Sequence, residues 1–268
     1  MKKLLLLQLK IVAQKLISKY KPVVISITGS IGKTSTKEAI YHILKNKFSV
    51  RTSFKNYNNE IGLPLTIIGV ESPGKDYFGW LLVFLRALRL LIFTDKKYPK
   101  ILVLEMGVDR PGDMDYLISI APPQIAVITA VSYSHLEYFG SLNNIKKEKQ
   151  KLVESLDSHG LAILNFDSEA VCEMASVSHA RVMSFSLNQQ SDLKAQDIIY
   201  NFSRDGYELS GINFKLNYQG SIVPVFMRNV MSEPALYAGL AAAAVGLHFK
   251  MNLVEIADSL SDFSLPAG

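Results

Sequence analysis

The sequence predicts an α/β fold in which a mostly parallel sheet with a phosphate-binding loop is flanked by helices and extended by a small antiparallel β subsheet. Three observations indicate this class. Apolar strand-like runs alternate with helical segments along most of the chain, as in a parallel sheet with helical crossovers. One strand runs directly into a glycine-containing turn and a helix. Short β-like pieces separated by turn residues follow residue 181.

The composition is that of a folded protein and limits the possible functions. The 268 residues are 49% hydrophobic and 20% charged, which is enough for one large α/β domain with a substantial core. The net charge of +5 suits an anionic substrate such as a nucleotide, but no dense Lys/Arg run with interleaved aromatics indicates a nucleic-acid partner. A single cysteine, Cys172, excludes an internal disulfide and a multi-cysteine metal site, so we expect a cytoplasmic protein.

The N-terminal segment combines a leucine run with several lysines. The apolar run at residues 4–7 is too short for a signal peptide, and no small-residue cleavage site follows it. We expect residues 1–21 to form an amphipathic helix, with one face made of Leu5, Leu9, Val12 and Leu16. This helix would pack on the domain formed by residues 22–268, or alternatively touch a membrane surface.

Residues 23–37 are typical of a strand, a phosphate-binding loop and the start of a helix. Gly29 and Gly32 allow a tight turn in which backbone N–H groups converge, and Lys33 adds a mobile charge at the helix N-terminus. Thr34 would place a hydroxyl on a Mg²⁺ ion that bridges the terminal phosphates. The spacing G-x-x-G-K-T is two residues shorter than the common pattern. The alternative is an ordinary strand-to-helix turn with an exposed lysine.

A helix, a short extended piece and a second, strongly apolar helix follow the loop. The first helix should continue through residues 37–47, and the extended piece begins at Val50. Residues 77–93 form the apolar helix, which Arg86 and Arg89 interrupt. Because this segment is too short and too charged to span a bilayer comfortably, we expect it to be buried, or to lie on a membrane or a partner.

Two further strands each lead to a polar side chain at their carboxyl end. Residues 100–106 are apolar almost throughout and contain Glu105, while the strand at residues 125–131 is followed by His135. Ligands bind at the carboxyl ends of strands in open α/β sheets, and an acid beside a phosphate loop can serve Mg²⁺. We therefore expect Glu105 and His135 at a metal site. For the histidine, the alternative is a structural role.

The remaining segments predict three helices, one strand and then a change to short β-like pieces. The helices are residues 143–156, 233–249 and 253–260, and the strand is residues 160–165. After residue 181, four short β-like segments suggest an antiparallel edge or subsheet, namely residues 182–186, 198–202, 207–218 and 222–226.

Five motifs, in order along the chain, resemble those of the Mur ligase family. They read Thr28-Gly-Ser-Ile-Gly-Lys-Thr-Ser35, Asn58-Asn-Glu-Ile-Gly62, Glu105-Met-Gly-Val-Asp-Arg-Pro-Gly112, His135-Leu-Glu-Tyr-Phe-Gly-Ser141 and Asn165-Phe-Asp167. Together they are far more specific than a phosphate loop alone. The resemblance covers roughly residues 23–268 and is to the central ATP-binding domain of the branch that adds D-alanyl-D-alanine to a cell-wall precursor.

The resemblance implies a role for most of these motif residues. ATP would contact Asn59, Asn229 and the phosphate loop, whose residues are Gly29, Ser30, Ile31, Gly32, Lys33, Thr34 and Ser35. Thr34 and Glu105 would hold one Mg²⁺ ion, and His135 a second. A lysine modified by CO₂ to a carbamate helps to place the second metal in the family. Lys149 aligns best with that lysine, so the catalytic residues implied are Lys33, Lys149 and His135.

Other lysines surround Lys149 on the same predicted helix. Lys146, Lys147 and Lys151 lie within three residues of it, and the alternative is that all four form a solvated basic helix face. A further difference from the family concerns adenine, because Arg228 precedes Asn229 where the family has a histidine.

The reaction implied by the resemblance is ATP-dependent amide formation in peptidoglycan precursor synthesis. A UDP-muramoyl-peptide carboxylate would be activated as an acyl phosphate, and D-alanyl-D-alanine would then displace the phosphate. The alternatives are a related ligase that uses folate, cyanophycin or another acid, and a non-catalytic nucleotide-binding module. Complete family members also have an N-terminal uridine-nucleotide domain and a C-terminal domain that brings the amine. We expect this chain to lack both, so that full-length protein would have to supply them.

Overall fold

Nine strands form one sheet in the described part of the chain, which the computed structural model gives as residues 2–54, 57–134, 136–202, 209–228, 230 and 232–264. The strands are β1 (Val23–Thr28), β2 (Val50–Thr52), β3 (Ile101–Glu105), β4 (Ile125–Ile128), β5 (Leu161–Asn165), β6 (Arg181–Ser186), β7 (Leu193–Phe202), β8 (Leu209–Tyr218) and β9 (Ser221–Arg228). Their spatial order is β2-β3-β1-β4-β5-β6-β7-β8-β9.

Neighbouring strands are parallel from β2 to β7 and antiparallel from β7 to β9. The predicted class, a mostly parallel sheet with a small antiparallel part, is therefore confirmed. One of the four segments predicted for the antiparallel part, residues 182–186, was assigned wrongly. It belongs to β6, which pairs in parallel with β5 because a short helical crossover between them returns the chain to the same edge of the sheet.

Helices cover both faces of the sheet. They are α1 (Lys2–Tyr20), α2 (Lys33–Leu44), α3 (Gly62–Ile68), α4 (Tyr77–Ile92), α5 (Asp113–Ile120), α6 (Leu136–Phe139), α7 (Leu142–Glu154), α8 (Glu169–Cys172), α9 (Glu233–His248) and α10 (Leu253–Ser261). One face packs against α2, α9 and α10, and the opposite face packs against the remaining helices. The predicted helices are confirmed, with ends shifted by a few residues.

The central strands are apolar on both faces, as expected for parallel strands that lie between two helical layers. Along β1, Ile25 and Ile27 point to the layer of α2, and the preceding Val24 points to the opposite layer. The same alternation occurs in β3, where Val103 and Leu104 belong to different clusters. Two separate cores therefore hold β1 in the middle of the sheet and fix the position of the loop that follows it.

Helix α1 packs against α3, α4 and α5 on one face of the sheet. Leu9, Ala13 and Leu16 are fully buried, and Lys10 Nζ donates to Ser119 Oγ at 2.7 Å. The predicted amphipathic helix and its core packing are confirmed, and the structure leaves Leu4 and other outward residues exposed. The division into residues 1–21 and 22–268 stays a prediction.

Helix α4 confirms the predicted apolar helix but is buried along only one edge. Val83, Ala87 and Leu90 are its buried residues, whereas most of its other large apolar side chains are exposed. No helix in the described residues is long and apolar enough to cross a membrane. Because most of the large apolar side chains of α4 are exposed, the alternative that the helix is completely buried within the chain was wrong.

Candidate active site

The loop between β1 and α2 is pressed against the end of β4. Gly29 has a φ of 152°, and a Cβ atom placed on it would lie 1.9 Å from Thr129 Oγ1 and 3.1 Å from the backbone of Ala130. Gly32, with a φ of 82°, lies immediately before α2. Both positions therefore need glycine, the first for space as well as for conformation.

Hydrogen bonds from the end of β4 hold the loop in place. Ser30 N donates to Ala130 O at 2.7 Å, and Thr129 Oγ1 donates to Ile31 O at 2.6 Å. Ser30 Oγ donates to Ser132 O at 3.0 Å. These bonds engage one face of the loop, while the first N–H groups of α2 have no partner within their own helix. The arrangement can receive an anion at the helix N-terminus without rearrangement of the loop.

Gly29→Ala is expected to destabilise the fold, because the added methyl group would overlap Thr129. Strain and overlap together should lower the free energy of unfolding by about 2–4 kcal/mol. Gly74→Ala is a matched control, since Gly74 has a φ of 61° but nothing within 4 Å of its Cβ position. Urea denaturation should separate the two variants. An equal loss of stability in both would show that the contact with Thr129 does not determine this position.

A carboxylate lies beside the start of α2. Thr34 Oγ1 donates to Glu105 Oε2 at 2.9 Å, and Asn58 Nδ2 donates to Glu105 Oε1 at 3.1 Å. Glu105 is only 2% exposed, and the backbone N–H of Gly107 donates to Asn58 O at 2.9 Å. The structure thus brings together the two residues predicted to share a metal ion. It also adds Asn58, which orients the carboxylate and which sequence reasoning missed.

Glu105 and Thr34 offer oxygen ligands of the kind that Mg²⁺ prefers. In the described part of the chain, no three His, Cys, Asp or Glu side chains are grouped so that they could hold a metal ion. Mg²⁺ is usually bound through one or two protein oxygens together with water and substrate phosphates rather than by a complete protein cage.

Two lysines converge on the same carbonyl of the loop. Lys33 Nζ donates to Gly29 O at 2.9 Å, and Lys149 Nζ, from α7, donates to it at 3.2 Å. Lys149 is 3% exposed. Burial, and then the neighbouring charge of Lys33, lower the pKa of Lys149 to about 8, despite the opposing effects of nearby Asp109 and Glu148. A much larger fraction of Lys149 is therefore neutral near physiological pH than for an ordinary lysine.

The other lysines of α7 point away from the loop. Lys146 forms an ion pair with Glu173, Lys147 is exposed, and Lys151 Nζ lies 2.7 Å from Asp115 Oδ2. The alternative that all four form a solvated basic face is therefore wrong for Lys149. Its buried position is the one that reaches the phosphate loop.

Lys149 also predicts a specific pH dependence of stability. Between pH 8 and 10.5 the unfolded state keeps a proton that the folded state has lost, so stability from this group rises with pH across that window. In CO₂-free buffer, the unfolding free energy of the protein, measured relative to that of Lys149→Met, should rise by about 3 kcal/mol across this window. Exposed Lys147→Met is the control. Denaturation curves for Lys149→Met that change with pH in parallel to those of the protein would contradict the burial of the charge.

Glu148 organises the loop next to the site and was missed from the sequence. Its buried Oε1 accepts from Gly112 N at 3.0 Å and from Met114 N at 2.8 Å, at the start of α5. Lys151 Nζ donates to its other oxygen at 2.8 Å. A carboxylate at a helix N-terminus is stabilised by the helix dipole. The only signal in the sequence was an acid among the lysines of α7, which indicated nothing about its partner.

A cavity lies on the α9 side of the phosphate loop. It has a volume of about 250 Å³, and Ile31, Gly32, Asn165, Asp167 and Tyr237 are among its lining residues. Asn165 Nδ2 donates to Thr129 O at 2.7 Å, and Tyr237 OH donates to Asp167 Oδ2 at 3.0 Å. Burial and the charge of Asp167 raise the pKa of Tyr237, so the hydroxyl stays protonated. The Asn165 to Asp167 motif therefore forms a wall of a cavity that opens next to the loop.

Four residues expected at the site stay predictions. Asn59 is exposed, and its Oδ1 accepts from Ile61 N and Gly62 N at the start of α3. Its predicted contact with ATP stays a prediction, as does that of Ser35. His135 and Asn229 lie outside the described residues.

Comparison with known proteins places these features in a family. The family model of the Mur ligase middle domain matches residues 27–78 and 86–234, more than half of the chain. The chain belongs to the Mur ligase family. The matched segments contain the phosphate loop, Glu105, Lys149 and the Asn165 to Asp167 motif, while Tyr237 lies just beyond them.

Relatives of this Mur ligase chain include two curated enzymes and several solved structures. UDP-N-acetylmuramoyl-tripeptide--D-alanyl-D-alanine ligase of Buchnera aphidicola is 30% identical over 91% of this chain and 45% of its own length. The enzyme of the same name from Mycobacterium leprae is 31% identical over 89% of this chain and 42% of its own length. The crystal structure of MurF ligase from Thermotoga maritima in complex with ADP has a TM-score of 0.79 and 25% identity, and matches 98% of this chain and 53% of that one. The chain thus spans less than half the length of these two curated relatives.

Proposed function

We propose that this chain is the ATP-binding part of an amide ligase of peptidoglycan precursor synthesis. It would activate the terminal carboxylate of a UDP-muramoyl-tripeptide, which D-alanyl-D-alanine then attacks. The observation that carries the proposal is the contact of Thr34 with buried Glu105 at the end of the phosphate loop. The names of the curated relatives and the ADP bound to the Thermotoga protein support the choice of substrates.

The proposed ATP site follows from the loop and the cavity beside it. The phosphates would lie at the N-terminus of α2, where N–H groups, the helix dipole and Lys33 all favour negative charge. The nucleoside would extend into the cavity of about 250 Å³ that Tyr237 and the Asn165 to Asp167 motif line. Asn59 and Asn229 are proposed as further contacts to the nucleotide.

Thr34 and Glu105 would hold one Mg²⁺ ion, and His135 is proposed for a second. When bound, such ions neutralise charge that develops on the transferred phosphoryl group. Within this chain, Asn58 keeps Glu105 facing Thr34, and the burial of Glu105 keeps water from competing for its oxygens. The residues present therefore fit Mg²⁺ both in chemistry and in position.

Lys149 is proposed as the lysine that reacts with CO₂. Only a neutral amine can attack CO₂, and the nitrogen then loses a proton as the carbamate forms. Burial and the charge of Lys33, which lower the pKa of Lys149 to about 8, favour the neutral amine. The resulting carbamate would be an anion beside Lys33, so repulsion between two cations would be replaced by attraction.

The acid substrate is proposed to enter from the opposite side of the loop. A groove of about 730 Å³ lies between the start of α1 and the segment after β3, and Lys3, Lys10, Asp109, Arg110 and Tyr138 are among its lining residues. Its lining carries three cations, Lys3, Lys10 and Arg110, which could meet phosphates and carboxylates of the substrate, and three acids, Glu60, Asp109 and Asp113. The guanidinium of Arg110 lies 4.9 Å from the ring centre of Tyr138, which holds it at the wall of the groove.

The proposed mechanism needs no covalent nucleophile from the protein. The substrate carboxylate attacks the γ-phosphate of ATP, ADP leaves, and the amine of D-alanyl-D-alanine then displaces phosphate from the acyl phosphate. The chain contributes position and charge: the loop N–H groups and Lys33 stabilise negative charge on the phosphoryl oxygens. Positioning the amine would require protein beyond the length that this chain shares with its relatives.

Phosphate release from ATP tests the proposed function. With Mg²⁺ present, UDP-muramoyl-tripeptide should stimulate release, whereas a folate or another acid at equal concentration should not. Stimulation by a different acid would indicate a related ligase. ATP binding without stimulation by any acid, in protein that also carries the remaining family domains, would indicate a nucleotide-binding module.

A further inference from the structure

Helix α4 presents an unbroken apolar face to solvent. At about 100° per residue, six of its side chains fall on the arc opposite buried Val83 and Ala87. They are Tyr77, Phe78, Leu81, Leu85, Leu88 and Ile92, each more than half exposed. Leu82 and Phe93 extend the same surface and are 51% and 66% exposed. Soluble monomers rarely expose contiguous apolar surface of this extent without a partner for it.

The helix is firmly attached with this face turned outward. Lys19 Nζ donates to Leu90 O and Leu91 O, each at 2.9 Å, and Tyr20 OH donates to Leu90 O at 2.9 Å. At its other end, Trp80 Nε1 donates to Gly74 O at 3.1 Å. Rotation that would bury the apolar face against the protein would break these bonds and expose Val83 and Leu90 in exchange.

Charge indicates what covers this face. Together α1 and α4 carry five lysines and two arginines and no acidic residue, and the first acid in the chain is Glu38. On α4, Arg86 and Arg89 lie along one flank of the apolar arc, and two lysines, Lys96 and Lys97, follow the helix. The nearby acids flank the helix rather than its face: Asp76 caps the N-terminus and Asp95 follows the C-terminus.

We propose that α4 binds the surface of a bilayer that contains anionic lipid, with the helix axis in the plane of the membrane. An apolar face bordered by cations and carrying aromatic residues at its ends is the pattern of interfacial helices. Exposed Leu4 and Ile11 of neighbouring α1, with Lys15 on the same helix, repeat this pattern.

Two further observations set this surface apart from the proposed ligase site. The two segments matched by the family model leave out residues 79–85, which make up most of the N-terminal half of α4. Helix α4 packs on α1 and α3, and the groups of the phosphate loop and Glu105 belong to other elements. Membrane binding can therefore be tested separately from the chemistry.

Vesicle sedimentation and fluorescence test the proposal. The chain should sediment with vesicles of phosphatidylcholine and about one third phosphatidylglycerol, bind phosphatidylcholine alone at least ten-fold more weakly, and dissociate as salt rises. Trp80 is the single tryptophan, so its quenching by brominated lipid reports on α4 directly. Leu81→Asp with Leu85→Asp should lower binding at least ten-fold. The matched control is Ile199→Asp with Ile222→Asp, two exposed residues of the antiparallel edge, which should bind as the unchanged chain does.

Several outcomes would overturn the proposal. One is equal binding of the Leu81→Asp, Leu85→Asp variant and the unchanged chain. Another is binding to phosphatidylcholine that does not depend on anionic lipid. A third is a dimer in solution that this variant converts to a monomer while neither form binds vesicles, which would assign the face to a second copy of the chain. Unchanged ATP binding by the variant would show that it is folded.

Discussion

Lys33→Ala is expected to weaken ATP binding and to slow phosphate release by about 100-fold or more, the loss seen when one group that stabilises transition-state charge is removed. The reason is local. Lys33 Nζ lies 2.9 Å from Gly29 O, at the N-terminus of the helix where the phosphates would sit. Calorimetry with ATP and Mg²⁺, together with a phosphate-release assay, would measure both effects.

The matched control for this variant is Lys147→Ala. Lys147 is exposed on α7, two residues from Lys149, and should be replaceable without effect on nucleotide binding. Loss of Lys33 should also spare the fold, because Lys149 Nζ still donates to Gly29 O. An ATP affinity and a Mg²⁺ dependence that are both unchanged in Lys33→Ala would refute the phosphate loop.

Glu105→Gln is expected to raise the Mg²⁺ concentration needed for half-maximal phosphate release by about 10–100-fold. The substitution keeps the size of the side chain but removes its charge. It also places an amide NH₂ against Thr34 Oγ1 or Asn58 Nδ2, both of which donate to the carboxylate. Titration with Mg²⁺ at saturating ATP would separate a metal defect from a nucleotide defect.

Glu173→Gln provides the control for the loss of an acid. Glu173 is half-exposed and pairs with Lys146, away from the phosphate loop. Its replacement should leave the Mg²⁺ dependence unchanged, since surface ion pairs contribute little. A Mg²⁺ requirement that is the same in Glu105→Gln and in the unchanged protein would remove Glu105 from the metal site.

The strands and the loop could be predicted because their signals are local. Buried parallel strands are apolar throughout, as in β1 and β3, and the glycines of the phosphate loop mark the turn between strand and helix. The polar ends of the strands then follow from topology, since parallel neighbours finish at the same edge. This is why the contact of Thr34 with Glu105 could be predicted although 71 residues separate them.

Contacts made by loops could not be predicted in the same way. In the motif that begins at Asn58, both asparagines are polar turn formers. Only tertiary structure decides that Asn58 reaches Glu105 while Asn59 accepts from the N–H of Gly62 at the start of α3. Glu148 is a similar case, since its partners are backbone N–H groups 34 and 36 residues away. Nearly every residue carries a backbone N–H, so the sequence does not show which of them a given side chain will contact.

The burial of single lysines and of α4 also depends on tertiary packing. A helix such as α7 has four lysines in six positions, and only the direction in which each points distinguishes Lys149 from the rest. For α4 the apolar residues surround the helix, so periodicity could not tell which side packs on the protein. Family resemblance singled out Lys149 among the lysines of α7. For α4, only the structure shows which side packs on the protein.

The most direct test of the proposed site is the position of a metal ion. Crystals grown with Mn²⁺ and a non-hydrolysable ATP analogue should show an anomalous peak within coordination distance of both Thr34 Oγ1 and a Glu105 carboxylate oxygen, with the terminal phosphates over residues 29–34. A metal peak beyond coordination distance of both side chains, or phosphates bound away from the loop, would contradict the account.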